Sequence, residues 1–275
     1  MGDKTYSTLL QDAAQMLRRI RSARPLPADG VAYFRNEFAI SDAHDGNAIE
    51  GNTFTYDETR MLLEKGITAS ARSFREHEDI VGYKRAIDML YSAYDRGVDP
   101  DEEFVKRIHS LVMSGKNGAG EYRTVQNYVG DILHAVHVPC SPGLVPAEMK
   151  RWGEELAAAP TGDVRADEQS LDKLFHSIAA LHIEFERIHP FLDGNGRTGR
   201  LLMSYQLMKA GLLPIDIRYA RRKNYYAAIA AWRDKEKYAP DPSAKSAKMA
   251  KLIALSETES MQKWLEVFGQ YVDND

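Results

Sequence analysis

Residues 189 to 200 read His-Pro-Phe-Leu-Asp-Gly-Asn-Gly-Arg-Thr-Gly-Arg, and these residue types in this order suit the handling of a polyphosphate. Gly194 and Gly196 let backbone N–H groups approach a ligand closely. A helix starting beside them aims its positive dipole end and unpaired N–H groups at the same point, with Asn195 between the two glycines. Arg197 and Arg200, three apart on the first turn, offer permanently charged forks suited to phosphate oxygens. Asp193 supplies one hard oxygen, which fits a magnesium ion that keeps most of its water and takes its other ligands from phosphates. His189, just ahead of the loop, is placed to take the proton of an incoming hydroxyl while the loop holds the phosphorus it attacks. Such a base contributes about 10²- to 10⁴-fold in rate, so positioning and charge stabilisation must supply the rest.

Two helices must carry this loop. Leu171, Leu174, Phe175, Ile178, Leu181, Phe185 and Ile188 recur by threes and fours, which predicts a core helix over 167–188 that delivers His189 at its exit. Pro190 disfavours helix at the residue before it. Leu201, Leu202, Tyr205 and Met208 continue at helical spacing, predicting a second helix over 196–209. The same periodicity recurs along most of the chain. Thr55 and Glu58 have capping-box spacing ahead of a helix that ends near Gly66, and further helices are predicted over 73–96, 101–113, 146–158, 223–235 and 244–272. Strand-like character is confined to 129–138, between a glycine-loosened segment and Pro139. The fold class is therefore all-α with one small β-hairpin.

Composition narrows the function classes. The 275 residues carry 36 Lys and Arg against 40 Asp and Glu, so no basic field recommends nucleic acid as a partner. The single cysteine, Cys140, forms no internal disulfide and suits a reducing compartment, with the cytoplasm as the expected location. Residues 1–24 are charged throughout and read as an amphipathic helix rather than a signal peptide, and no stretch has the roughly 20 apolar residues of a membrane span. His134, His137, His182 and Glu186 have no standard zinc spacing.

The run from His189 to Arg200 resembles, without a gap, the signature HPFx[D/E]GNGRxxR of the Fic family. The likeness extends over about 101–226, including Gly120-Glu121-Tyr122-Arg123 and the Tyr225-Tyr226 pair. It implies a Fic-domain helical bundle that transfers AMP from ATP to a Ser, Thr or Tyr hydroxyl of a target protein, releasing pyrophosphate. By the same resemblance His189 is the general base and Asp193 the magnesium ligand. Gly194, Asn195, Gly196 and Arg197 surround the phosphates, Arg200 meets the γ-phosphate, and Tyr225 belongs to the nucleotide site. The hairpin corresponds to the family's flap, which docks the target by main-chain pairing, with Ile132, His134 and Val136 as its docking residues.

Upstream, Ala48-Ile49-Glu50-Gly51-Asn52 resembles the second half of the family's inhibitory motif [S/T]xxxE[G/N], which implies that Glu50 pairs with Arg200 and competes with the γ-phosphate. Gly46 stands where that motif has Ser or Thr, which removes a hydroxyl and loosens the start of the inhibitory helix. These readings divide the chain into a regulatory portion (1–100), a catalytic core (101–235) and a C-terminal helical extension (236–275), the last either packed on the core or forming an oligomer surface. Modification of the protein's own tyrosines, 14 in number, is compatible with the same chemistry. Two other activities remain open: removal of AMP from a modified protein by means of Glu50, and nucleotide binding without catalysis.

Overall fold

A computed structural model describes residues 4–23, 25–68, 71–130, 135–236 and 242–272. Ten α-helices run along the described chain: α1 (Tyr6–Arg21), α2 (Ala28–Ile49), α3 (Tyr56–Lys65), α4 (Phe74–Asp95), α5 (Glu102–Val112), α6 (Val145–Ala157), α7 (Glu168–Ile188), α8 (Asn195–Lys209), α9 (Arg222–Glu236) and α10 (Pro242–Phe268). Two short strands, β1 (Val129–Gly130) and β2 (Ala135–His137), pair antiparallel, with Val129 opposite His137. The residues between them, including Ile132 and His134, lie outside the described set, and Val136 is described only by its backbone.

Local chemistry explains several of the helix boundaries. Thr55 and Ser73 each accept from the third backbone N–H of their helix, while Glu58 and Glu76 reach back to the capping residues, giving complete capping boxes for α3 and α4. Gly66 closes α3 in the left-handed conformation, which glycine adopts without a Cβ penalty. Asp101 caps α5 through Phe104 N.

The helices fall into two compact units, one made of residues 1–45, 160–180 and 203–275, the other of 46–159 and 181–202. In the first, α10 packs on α1 and α9, and its Met249, Ala250, Ile253 and Met261 are fully buried. Glu257, on the same helix, is also buried; its Oε1 accepts from Leu213 N at 3.0 Å, and burial pushes its pKa up to about 8. The folded state therefore keeps a proton that the unfolded chain releases near pH 4.5, so stability falls as pH rises from there towards about 8. Glu257→Gln removes this dependence. Its thermal midpoint is expected to exceed that of the parent by about 5 °C at pH 8, with little difference at pH 5. Equal shifts at both pH values, seen by calorimetry, would refute this account.

In the second unit, Ile80, Tyr83 and Ile87 of α4, Val105 and Ile108 of α5, and Met149 and Trp152 of α6 are buried, as are Phe185 and Ile188 at the end of α7. Trp152 ties α6 to α7 by donating Nε1–H to the Leu181 carbonyl at 2.9 Å. This unit holds the whole 189–200 segment.

Candidate active site

The segment begins with a backbone feature. His189 follows the last residue of α7 with φ +50°, a left-handed conformation that L-residues other than glycine seldom adopt. Its N–H still bonds the Phe185 carbonyl at 2.9 Å, and its own carbonyl accepts from Arg123 Nε at 2.8 Å. Arg123 N–H also bonds the Pro190 carbonyl at 2.9 Å, so the turn is held from outside as well as by α7.

Asn195 then closes the loop on itself. Its Oδ1 accepts from Phe191 N and its Nδ2 donates to Phe191 O, both at 2.9 Å, so this side chain shapes the loop and α8 starts beneath it. Gly194, at φ +77°, leaves no room for a side chain: a Cβ there would lie 2.7 Å from Met113 Sδ. His109 of α5 stacks on the Phe191 ring at 3.7 Å. Gly120 N–H donates to its Nδ1 at 2.8 Å, so the proton sits on Nε2, which donates to the Asp193 carbonyl at 2.9 Å. Burial above all pushes its pKa down to about 4, and the neutral ring pins both loops.

Both arginines of the loop point into the unit and are nearly fully buried. Arg197 Nη1 donates to Asp79 Oδ1 of α4 at 2.6 Å and, more weakly, to Asn47 Oδ1 of α2 at 3.4 Å. Lys116 also pairs with Asp79. Arg200, 3% exposed in its side chain, donates through Nη2 to the Gly46 carbonyl and to Glu50 Oε1, each at 2.8 Å. Glu50 lies directly after α2 and is a third exposed in its side chain. Its carboxylate sits against the loop glycine itself: a Cβ on Gly196 would come within 2.5 Å of Glu50 Oε1 and 3.1 Å of Arg200 Nη1.

The turn behind Glu50 is anchored by α4. Asn52 N–H returns to the Asn47 carbonyl at 3.1 Å and its Nδ2 donates to Glu76 O at 3.0 Å. Glu76 Oε1 takes both Thr53 N and Thr53 Oγ1. Those bonds, with the two from Ser73, hold the Glu76 carboxyl down at about 2. Asp193, by contrast, is about half exposed: its Oδ1 accepts from Gly194 N at 2.6 Å and its Oδ2 stands 3.5 Å from Arg75 Nη2. An accessible carboxylate of this kind fits a magnesium ion whose remaining ligands are water and phosphate.

His189, Gly194, Gly196 and two buried arginines thus lie together around the start of α8, and residues 99–207 match the model of the Fic/DOC family. The chain carries a Fic/DOC domain. Among curated proteins it is 33% identical over 226 residues to the protein adenylyltransferase Fic of Nematostella vectensis, covering 77% of this chain and 49% of that protein. To the protein of the same name in Drosophila yakuba it is 33% identical over 180 residues, covering 65% of this chain and 34% of the relative. The chain therefore spans between a third and a half of the length of these relatives. A Fic domain-containing signaling protein from Bacteroides thetaiotaomicron has the same fold, with a TM-score of 0.77, 22% identity, and coverage of 98% of this chain and 100% of that one. Fic-1 from C. elegans aligns with a TM-score of 0.75 and 23% identity over 96% of this chain and 73% of that one.

Within the Fic fold, the departure at Gly46 acquires a physical cause. Gly46 lies in the last turn of α2 rather than at a helix start, and Tyr83 of α4 fills the space beside it. A Cβ at position 46 would be 2.7 Å from the Tyr83 hydroxyl and 2.8 Å from Cζ, and Tyr83 is fully buried. An aromatic hydroxyl thus stands where a Ser or Thr side chain would have to fit. Gly46→Ser is accordingly expected to destabilise the domain by about 1–3 kcal/mol through overpacking, read as a lower denaturant midpoint; an unchanged or higher midpoint would refute it.

Tyr225 is buried in the first unit, its ring 5.4 Å from that of Tyr226. His137 Nε2 donates to the Arg187 carbonyl at 2.9 Å, tying β2 to α7. Four residues that spacing alone does not single out for the site take part in it: Asp79, Tyr83, His109 and Arg123. Each reaches the site through a contact distant in sequence.

Proposed function

We propose that the Fic domain transfers AMP from ATP to a side-chain hydroxyl of another protein, and that Glu50 restrains it. The supporting observation is the Glu50 carboxylate, which occupies both the Arg200 fork and the space over Gly196, where close backbone approach and positive charge would otherwise serve a phosphate. On this reading the target oxygen attacks the α-phosphorus. The new O–P bond forms as the bond to the bridging oxygen breaks, pyrophosphate leaves, and the target's proton passes to His189 Nε2.

Arg197 and the N–H groups at the start of α8 hold the α- and β-phosphates and stabilise charge developing on them, and Arg200 holds the γ-phosphate once Glu50 has moved. Asp193, the half-exposed carboxylate of the loop, would hold a magnesium ion, which neutralises phosphate charge when bound. Tyr225 in the nucleotide site, docking of the target on the flap, and a Ser, Thr or Tyr acceptor are parts of the same proposal.

The test compares ATP labelled at the α- or the γ-phosphorus, using the Glu50→Gly chain and a cell lysate as the source of acceptors. Protein-bound label from the α position alone, with matching release of pyrophosphate, supports AMP transfer. Label from the γ position would assign phosphate transfer instead. Loss of AMP from a previously modified protein, dependent on Glu50, would assign the reverse reaction.

A further inference from the structure

Glu186 is buried at the end of α7 and has no part in the phosphate-binding scheme above. We propose that Glu186 is the positioning residue for His189: it holds the imidazole with its proton on Nδ1, leaving Nε2 as the base, and it stabilises the imidazolium formed when the target's proton is taken. The proposal rests on the AMP-transfer reading for its kinetic consequences but not for its geometry.

Glu186 Oε2 stands 3.6 Å from His189 Nδ1, too long for a hydrogen bond and close enough for charge attraction. Glu186 Oε1 and His189 Nδ1 are both buried without a hydrogen-bond partner. Leaving such groups unpaired is costly, and catalytic contacts commonly tighten only in the reacting complex. The backbone of His189 is fixed by Phe185 on one side and Arg123 on the other, so rotation of the ring is the motion needed to close the gap.

The surroundings favour an ionised carboxylate. Burial pushes the Glu186 pKa up, but contact with His189 and the positive groups around it outweigh it and hold the carboxyl below its usual range; Arg200 is the one of them that stays charged when the imidazoles are neutral. Space has been made for this group on α8. A Cβ at Gly199 would lie 2.8 Å from His182 Cε1 and 3.3 Å from Glu186 Oε1, so the glycine admits both side chains.

An ionised carboxylate can only accept. The ring nitrogen facing it must carry the proton, and the tautomer of a neutral histidine is set by the partner of its other nitrogen. When Nε2 then takes a proton, a neutral imidazole beside a carboxylate becomes an ion pair in a buried site, where the attraction is stronger than in water.

The experiment uses the full chain with Glu50→Gly, alone and combined with Glu186→Ala or Glu186→Gln. The ring nitrogens of ¹⁵N-histidine-labelled protein are observed without nucleotide at about pH 8.5, where free imidazole is neutral, and the His189 signal is assigned by its loss in His189→Ala. The parent is expected to show protonated Nδ1; Glu186→Ala should shift the ring towards protonated Nε2, whereas Glu186→Gln, whose amide oxygen still accepts, should retain the parental form. For AMP transfer, kcat is expected to fall about 100-fold in Glu186→Ala and about tenfold in Glu186→Gln, with KM for ATP within about threefold of the parent. The acid limb of the pH profile should move to lower pH in Glu186→Gln, because the charge that favours imidazolium is gone.

An unchanged tautomer in Glu186→Ala, or an unaltered kcat with altered KM for ATP, would overturn the proposal and leave Glu186 as a packing residue. Should the Glu50→Gly parent transfer no AMP, the functional reading fails, and the nitrogen spectra still decide the placement of the proton.

Discussion

Replacing His189 with alanine in the Glu50→Gly chain is expected to slow AMP transfer by about 10²- to 10⁴-fold while changing the affinity for ATP by no more than a few-fold. The asymmetry follows from the division of labour in the site. The groups suited to phosphate are Arg197, Arg200 and the N–H groups at the start of α8, and the arginines' partners include Asp79, Asn47, Met113, Gly46 and Glu50. None of these contacts runs through the His189 ring, which faces Glu186 instead. His189 also occupies a left-handed turn, so alanine there inherits the backbone strain. His189→Asn controls for this, since Asn tolerates that conformation better and lacks a comparable base. Single-turnover transfer and calorimetric ATP binding separate the two effects. Transfer within tenfold of the parent in both variants would remove His189 from the chemistry.

The Thr55–Glu58 capping box, the glycine that ends α3 and the helix–loop–helix around residue 194 are legible in the sequence because each depends on residues within four or five positions of one another. The partners of the loop are not. Asp79 reaches Arg197 across 118 positions and His109 reaches the Asp193 carbonyl across 84, and no spacing rule registers such pairs. Glu186 shows a different limit. Its spacing from His182 fits no standard zinc pattern and by itself assigns it no role, whereas the left-handed turn at His189, invisible in composition, sets it against the histidine. Gly46 reads in sequence as the loss of a hydroxyl, and only the position of the Tyr83 ring explains why a side chain is excluded there.

The Glu50→Gly substitution should raise AMP transfer by about 5- to 30-fold and, without nucleotide, lower the thermal midpoint by several degrees. Both effects come from one contact. Truncating one partner of a fully buried ion pair costs about 3–5 kcal/mol because the other charge is left uncompensated. Glu50 is a third exposed, so water screens part of its field, and Arg200 keeps the Gly46 carbonyl and the neighbouring Glu186 charge. A cost of about 1–2 kcal/mol is therefore more realistic, equivalent to roughly 2–8 °C in a domain of this size. The same free energy opposes ATP in the parent, since a nucleotide must displace Glu50 before its γ-phosphate reaches Arg200, and affinity falls by the fraction of molecules open to it. ATP should accordingly stabilise Glu50→Gly more than the parent. Glu50→Gln separates charge from bulk: if the carboxylate charge is the restraint, the Gln variant transfers AMP nearly as fast as Gly, and if occupancy of the space over Gly196 is the restraint, it stays close to the parent. A Glu50→Gly chain with unchanged stability and unchanged transfer would show that the pair does not restrain the site.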